Sequence, residues 1–249
     1  MAEPMLRNQC TNRWEFLTLN LFAWVLAPVL MMATTVVLAA EYPDPERFRS
    51  AIDAFDAEGS IPNGAVIATG SSSMRGWHGR IDDDLAPLTI VPRGFGGSNM
   101  YDVRYFLDEL VLKHKPRAVM IYEGDNDAAL GATTEQVMLN LEAIIEEVHY
   151  HLPKTRIYLL AVKPSIARWQ IWPAMQETNR AMRALARGHN LVVYVDVASP
   201  MLGADGTPKP GIFVQDNLHM NGAGYDLWRD AVRPVVVEAE KAHESSKYR

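Results

Sequence analysis

The sequence predicts an α/β domain in which five parallel β-strands form one sheet with helices on both faces. Two features predict it: five short apolar segments have the length and composition of buried strands, and segments with helical spacing separate them. A helix between successive strands returns the chain to the same end of the sheet, so the strands run parallel. The 249 residues are 48% hydrophobic and 22% charged, which is ordinary for one globular domain.

Each predicted strand is a short aliphatic run bounded by polar or glycine-containing turns. The strands are expected at residues 65–69, 88–91, 118–122, 157–162 and 191–195. Apolar residues at every third or fourth position predict the helices. The helices are expected at residues 46–58, from Ser98 or Asn99 through Leu110, from Thr133 or Thr134 to about 153, from about 173 to Gly188, and from 222 to about 242. The pattern contains no repeat and no linker, so residues 41–249 are predicted to form one domain.

An uncharged stretch of 25 residues, 16–40, precedes this domain. It exceeds the roughly 20 apolar residues that span a bilayer, and it ends in the small residues Leu38-Ala39-Ala40, which suit signal-peptide cleavage. We therefore predict that residues 1–40 are an export signal or a single-pass anchor. The domain would then work outside the cytoplasm and meet the membrane only through this segment. A buried core helix is the alternative.

The charge and the cysteine content bound the possible partners. The formal net charge is −6, and it stays −6 without residues 1–40, so no basic surface for nucleic acid is predicted. Cys10 is the only cysteine, so no internal disulfide can form. It precedes the apolar stretch, which argues against a lipoprotein anchor.

Polar turns follow four of the five predicted strands. Ser72 follows the first strand, Gly97 the second and Asn126 the third, and residues 216–219 follow the fifth after a loop. The carboxyl ends of parallel strands share one edge of the sheet, which is where open α/β sheets bind ligands. The four turns are therefore expected to converge although they lie far apart in the sequence.

These residue types suit nucleophilic attack by a serine. A serine hydroxyl is a weak nucleophile until a base takes its proton, and histidine has a suitable pKa for that task. We predict Ser72 as the nucleophile, His219 as the base, and Asp216, three residues earlier, as the acceptor that orients the imidazole. The backbone N–H groups of Ser72 and Gly97 and the side-chain amide of Asn126 would bind the oxyanion.

Four blocks in this order resemble the SGNH (GDSL-type) hydrolase family. They are Gly70-Ser71-Ser72, Gly94-Phe95-Gly96-Gly97, Gly124-Asp125-Asn126-Asp127 and Asp216 to His219. The resemblance covers about residues 64–240. It implies a flavodoxin-like α/β/α sandwich of three layers and hydrolysis of esters or thioesters without a metal or cofactor. It also implies the roles given above for Ser72, Gly97, Asn126, Asp216 and His219.

The first block departs from the family pattern. Ser71 stands where the family usually has aspartate, so Ser71 and Ser73 remain rival nucleophiles, although position within the block favours Ser72. The Gly-x-Ser-x-Gly elbow of another hydrolase fold is absent, because Met74 stands where its second glycine would be.

Three further side chains are candidates for substrate binding. Arg75 follows the serine turn, and Trp169 and Trp172 lie in the loop after the fourth strand, at the predicted active edge. They would form a rim for the acyl chain or the leaving group. For the two tryptophans, packing in the core is the default interpretation, and the rim is its alternative.

Two aspartate-rich segments, 125–127 and 82–84, suggest a different site, for Mg²⁺ in a phosphatase-like protein. No lysine or threonine motif of that class accompanies them, so no metal is predicted.

The sequence as a whole predicts an exported or membrane-tethered serine esterase. Its substrate would be a small-molecule acyl ester, with lipid esters and acetylated sugars in the range that the resemblance implies, and we favour short acyl groups. An acyltransferase on the same site, with a hydroxyl compound in place of water, is one alternative. A non-catalytic glycan- or lipid-binding domain is the other.

Overall fold

The computed structural model describes residues 39–244, in which five strands form one parallel sheet with the order β2-β1-β3-β4-β5. The strands are β1 Val66–Gly70, β2 Ile90–Gly94, β3 Ala118–Tyr122, β4 Arg156–Leu160 and β5 Val192–Val195. This is the strand order of flavodoxin-like folds, in which ligands bind where the order reverses, between β1 and β3. The predicted α/β fold with a five-stranded parallel sheet is confirmed.

Ten α-helical segments connect and cover the strands in the described part of the chain. They are α1 Arg49–Ala57, α2 Ser72–Trp77, α3 Ile81–Asp84, α4 Met100–Tyr105, α5 Leu107–Leu110, α6 Asp125–Ala129, α7 Thr134–His151, α8 Trp172–Arg187, α9 Gly222–Val232 and α10 Glu238–Glu240. Short 3-10 turns lie at Pro45–Phe48, Leu112–His114, Trp169–Ile171, Ser199–Met201 and Lys241–His243. The short helices α3 and α6 are not among the predicted elements, because one or two turns carry too little periodicity to detect.

The helices form a layer on each face of the sheet. Helices α4, α7 and α8 pack side by side. They lie in the connections from β2 to β3, from β3 to β4 and from β4 to β5, which all cross the sheet in the same direction. Right-handed connections therefore place the three helices on one face. The step from β1 to β2 runs the other way, so α2 lies on the opposite face. There α9 packs on α2, with the Trp77 and Trp228 rings edge to face and their centroids 5.6 Å apart.

The sheet is buried at its centre and partly exposed at its edges. Every residue of β1 and β3 is buried, which explains why these strands are continuous apolar runs. The second strand lies at the edge and spans Ile90–Gly94 instead of the expected 88–91. It continues through Pro92, since an edge strand tolerates a residue that has no N–H to donate.

Two helices differ from their predicted form. The helix expected to run through Leu110 ends at Tyr105, and Phe106, with φ −95° and ψ 19°, separates α4 from α5. The last helix has a π-type turn at Arg233–Val237 between α9 and α10. Pro234 lies in this turn and lacks the N–H that regular α-helical bonding would use.

The predicted export signal or anchor, residues 16–40, lies outside the described residues except for Ala39 and Ala40. Between residues 39 and 244, each helix is too short or too polar to cross a bilayer.

Candidate active site

The chain turns sharply from β1 into α2 at a position that only glycine can occupy. Gly70 has φ 135°, and a Cβ atom there would lie 2.1 Å from the carbonyl oxygen of Tyr122 on β3. Ser71 follows in extended conformation and precedes the helix, so Ser72 becomes the first residue of α2. The first N–H groups of a helix have no partner within it. The Ser72 side chain therefore stands at a helix N-terminus on the carboxyl edge of the sheet.

Ser72, His219 and Asp216 form a hydrogen-bonded chain. Nε2 of His219 lies 2.8 Å from Oγ of Ser72, and its Nδ1 lies 2.6 Å from Oδ2 of Asp216. The structure thus brings Ser72 next to His219, from which it is separated by 147 positions in the sequence. A hydroxyl, an imidazole and a carboxylate in this order have the geometry of an activated nucleophile.

The aspartate is held ionised by the turn that carries it. Oδ1 of Asp216 accepts hydrogen bonds from the backbone N–H groups of Leu218 and His219, both at 2.9 Å. The hydrogen bond from the His219 side chain, followed by these two backbone bonds, lowers the pKa of Asp216 far below its ordinary value. An ionised Asp216 keeps the proton of the imidazole on Nδ1, so that Nε2 is free to accept a proton from Ser72.

The two rival serines lie in different surroundings from Ser72. Ser71 and Ser73 are each 1% exposed, whereas Ser72 is half-buried. Of the three hydroxyl groups, that of Ser72 bonds to His219. The geometry therefore favours Ser72 among the three.

The predicted oxyanion donors lie in neighbouring turns. The ends of β2, β1 and β3 are in register, with Gly70 beside both Gly94 and Tyr122, so the turns that follow leave the sheet side by side. Gly97 is exposed and has φ 94°. Nδ2 of Asn126 donates to the carbonyl oxygen of Ser98 at 2.7 Å, which joins the Asn126 turn to the Gly97 turn. An amide nitrogen carries two N–H groups, and within residues 39–244 only one of them has an acceptor.

A buried ionic cluster connects the two sides of the site and was missed from the sequence. Nζ of Lys163, which is 1% exposed, donates to the carbonyl oxygen of Leu218 at 2.8 Å and lies 3.3 Å from Oδ2 of Asp125. Nη1 of Arg168 bonds to the other oxygen of Asp125 and, at 3.0 Å, to Oδ1 of Asn126. Burial alone would raise the pKa of Asp125, but the two cations outweigh it and lower that pKa. A signal was present, because both cations lie in the loop that follows β4 at the active edge.

A second buried acid supports the Gly97 turn. Oε1 of Glu123 lies 2.5 Å from Oγ of Ser98, which itself lies 2.9 Å from the carbonyl oxygen of Phe95. Burial, and secondarily the nearby charge of Asp127, raises the pKa of Glu123 well above its ordinary value, which favours the neutral form of the acid. A hydroxyl has one proton to donate. A neutral Glu123 that donates to Ser98, which in turn donates to Phe95, satisfies both contacts.

The first described residues are bound to the turn after β3. The hydroxyl of Tyr42 donates to Oδ1 of Asp127 at 3.0 Å, and the carboxylate also accepts from the backbone N–H groups of Gly124 and Met100. Burial raises the pKa of Asp127 to about 6, although these hydrogen bonds oppose the shift. Asp127 therefore fixes the turn that presents Asn126.

Ala40 is bound to α7. The backbone N–H of Ala40 donates to Oε1 of Gln136 at 3.1 Å, and Nε2 of Gln136 donates back to the carbonyl oxygen of Ala40 at 2.9 Å. Helix α7 begins at the carboxyl edge, because it follows β3.

The three candidate substrate-binding residues differ in accessibility. Arg75 is exposed, and its guanidinium lies over Gly96, where a Cβ atom would be 2.4 Å from Cζ. No carboxylate among residues 39–244 forms an ion pair with it. Trp169 is half-buried and stacks on Trp172, with ring centroids 6.1 Å apart. Trp172 is 6% exposed and belongs to the core, so Arg75 and Trp169 present the accessible surface.

The carboxylates of residues 125–127 are not arranged as a cation site. Asp125 is paired with two cations, and Asp127 is surrounded by hydrogen-bond donors. Throughout the described range, 39–244, no three His, Cys, Asp or Glu side chains have the geometry of a metal site. That the protein needs no metal stays a prediction.

A family model matches a range of the chain that includes all four blocks. Residues 59–227 match the family model of the GDSL-like Lipase/Acylhydrolase family. Over 146 residues the chain is 30% identical to the platelet-activating factor acetylhydrolase IB subunit alpha1 of Bos taurus; the match covers 57% of this chain and 60% of that protein. The chain thus spans less than two thirds of the length of this relative.

Solved structures show the same fold at low sequence identity. A GDSL-like lipase from Bacteroides thetaiotaomicron superposes with a TM-score of 0.65 at 22% identity, covering 79% of this chain and 98% of that one. An acetylxylan esterase from Geobacillus stearothermophilus superposes with a TM-score of 0.60 at 17% identity, covering 72% and 97%. At these identities the structural similarity shows a shared fold, and the evolutionary relationship rests on the match to the family model.

Proposed function

The chain belongs to the GDSL-like lipase/acylhydrolase family, and from that membership we propose that it hydrolyses carboxylic esters through Ser72, His219 and Asp216. The observation that carries the proposal is the hydrogen-bonded chain from Ser72 Oγ through the His219 ring to Asp216, with contacts of 2.8 Å and 2.6 Å. Such a chain supplies the proton transfer without which a serine hydroxyl does not attack an ester.

The acylation step uses the groups that surround Ser72. Oγ of Ser72 attacks the carbonyl carbon of the ester while Nε2 of His219 takes the hydroxyl proton, and Asp216 stabilises the imidazolium that forms. The N–H groups of Ser72 and Gly97 and the free N–H of Asn126 bind the oxyanion. As the tetrahedral intermediate collapses, His219 gives its proton to the departing alkoxide, and the acyl group remains on Ser72.

Deacylation repeats these transfers with water. His219 takes a proton from a water molecule while the water oxygen attacks the acyl carbon. It returns that proton to Oγ of Ser72 when the carboxylic acid leaves. The side chain of His219 is 39% exposed, so water has access to the base. This access favours hydrolysis over transfer to another hydroxyl compound, and product analysis with a candidate alcohol present tests the preference.

A fluorophosphonate probe and an esterase assay test the proposal. We expect the probe to label wild-type protein on Ser72, and Ser72→Ala and His219→Ala to lose nearly all turnover while keeping wild-type circular dichroism. Ser71→Ala and Ser73→Ala are matched controls, since they remove neighbouring hydroxyl groups that do not face His219. If a control variant lost activity while Ser72→Ala remained active, the serine replaced in that control would be the nucleophile. Glycan or lipid binding without labelling would favour the non-catalytic alternative.

We propose short acyl groups, acetyl in particular, as the substrate class. One relative is named a platelet-activating factor acetylhydrolase, and one solved neighbour an acetylxylan esterase. Arg75 and Trp169, the accessible residues of the predicted rim, would contact the alcohol part of the ester. Comparing acetyl, butyryl and octanoyl esters of one alcohol tests the class, which is wrong if octanoyl gives the highest kcat/KM.

We also propose that residues 16–40 export or anchor the domain. The support is the absence of any charge over 25 residues. A fusion of residues 1–40 to a reporter that is active only outside the cytoplasm is expected to be active, and a fusion carrying Val25→Arg and Leu26→Arg is expected to be inactive. Equal activity of the two fusions would exclude this role.

A further inference from the structure

The side-chain amide of Asn126 is bound at both ends by groups of opposite polarity. A carbonyl oxygen, that of Ser98, faces Nδ2 at 2.7 Å, and a guanidinium nitrogen, Nη1 of Arg168, faces Oδ1 at 3.0 Å. A carbonyl oxygen only accepts and a guanidinium only donates. Rotating the amide by 180° would place two acceptors together and two donors together, so one orientation is strongly favoured.

Arg168 is itself fixed by a buried carboxylate. Its Nη1 also bonds to Oδ1 of Asp125, which is 6% exposed, while the other carboxylate oxygen lies near Lys163. The cation therefore cannot swing toward solvent without leaving a buried negative charge short of one partner. Burial among fixed partners makes the position of its guanidinium independent of any ligand.

We propose that Arg168 is a positioning residue for ester hydrolysis, which orients and polarises the Asn126 amide so that its free N–H binds the oxyanion. The inference rests on the proposed esterase function. A donor that is already oriented stabilises the transition state without reorganisation during the reaction. The nearby cation draws electron density from Oδ1, which makes the N–H groups of the amide stronger donors.

The contacts distinguish this role from direct substrate binding. Nη1 of Arg168 is engaged by Asp125, which it shares with Lys163, and by Oδ1 of Asn126. Arg75, by contrast, is exposed and has no carboxylate partner among the described residues. A substrate anion would therefore meet Arg75 before it met Arg168.

A double-mutant cycle tests whether Arg168 acts through Asn126. kcat and KM for an acetyl ester are measured for wild type, Arg168→Met, Asn126→Ala and the double variant. Loss of one oxyanion donor costs about 10²–10³ in kcat, and we expect Arg168→Met to cost about tenfold, with KM nearly unchanged. In the Asn126→Ala background, Arg168→Met should have no further effect, because the amide it orients is gone.

Lys163→Met is the matched control. Lys163 neutralises the same carboxylate, but its other contact is the carbonyl oxygen of Leu218, next to His219. The fold losses in kcat caused by Lys163→Met and by Asn126→Ala are therefore expected to multiply in the variant that carries both changes. Urea unfolding of each variant verifies that it is folded, and Arg168→Lys, which keeps a cation beside Asp125, replaces Arg168→Met in the cycle if the latter does not fold.

The outcomes separate this inference from the proposed function. Independent effects of Arg168→Met and Asn126→Ala, a change confined to KM, or unchanged kcat in both Arg168 variants would overturn the positioning role. Unchanged kcat in Asn126→Ala would overturn it too, and esterase activity dependent on Ser72 would then still stand. Full activity of Ser72→Ala would instead overturn the proposed function.

Discussion

The two halves of the candidate site that meet at Ser72 lie in opposite environments. The side chains of His219 and Asp216 are 39% and 46% exposed, whereas those of Lys163 and Asp125 are 1% and 6% exposed. A charge pair in water adds little to stability, but removing one partner of a buried pair leaves an uncompensated charge. The exposed half can therefore serve the chemistry without supporting the fold, and the buried half fixes the loops on which the chemistry depends.

Replacing Asp216 is the largest expected effect and the sharpest way to break this comparison. We expect Asp216→Ala to lower kcat about 10⁴-fold, the order seen when the acid of such a triad is altered. Its urea midpoint should stay near that of wild type, because the side chain is exposed. Steady-state kinetics and urea denaturation measure the two quantities. A large fall in stability with retained turnover would mean that the exposed half is structural.

Replacing Asp125 tests the buried half. Asp125→Ala leaves Lys163 buried without its carboxylate, and we expect the free energy of unfolding to fall by about 3–5 kcal/mol. Asp53→Ala is the control, since Asp53 pairs with Arg49 at 3.7 Å on the surface and is 65% exposed; it should cost less than about 1 kcal/mol. Similar losses for the two variants would remove the distinction between the halves.

Asp127 adds a pH dependence that belongs to the buried half. Its pKa is raised to about 6 in the folded protein, so the folded state binds the proton more tightly than the unfolded state does. The contribution of Asp127 to the stability of the folded state is therefore complete below about pH 4 and is lost as the pH rises to about 6. We expect the unfolding free energy of wild type to fall over this range, by on the order of 3 kcal/mol, relative to that of Asp127→Asn. Parallel pH profiles of the two proteins would contradict the raised pKa.

Replacing Arg75 is expected to have the smallest effect on activity, and it tests whether the exposed half includes a residue that contacts the substrate. It follows Ser72 by three residues on α2, so the two side chains share a face of the helix. We expect Arg75→Gln to lower kcat/KM for an ester with a carboxylate in its alcohol part about tenfold relative to a neutral ester. Arg180→Gln, an exposed change on α8, is the control and should leave the ratio unchanged. An unchanged ratio in Arg75→Gln would exclude this contact.

The exposed half could be predicted because its contacts are local. Asp216 and His219 are three residues apart, and the turn that joins them supplies its own backbone donors. Spacing and residue type are enough to recognise such a unit. The convergence of Ser72 with it follows from one rule, that parallel strands end at the same edge of a sheet.

For the buried half, the rule of the shared edge places the loop after β4 near the turn after β3, but it does not say which side chains pair across that distance. Tyr42 meets Asp127 across 85 positions, and Lys163 meets Asp125 across 38. No spacing rule connects such pairs, and their meeting depends on how the loops pack. Trp172 illustrates the same limit: the sequence left both core packing and a place in the rim open, and the structure shows that its ring is buried. Pro92, at which the predicted second strand ended, lies within β2 because that strand is at the edge of the sheet.

The two hydrogen bonds between Ala40 and Gln136 have a practical consequence for protein production. A chain started at Asp44 would lose these bonds together with the Tyr42 hydroxyl that holds Asp127. At the other end, Glu244 bonds to Thr89 and Arg117, which precede β2 and β3 on the far edge of the sheet. A truncated protein for crystallisation should therefore keep Ala40, and an affinity tag belongs after Glu244, where it cannot obstruct the approach to Ser72.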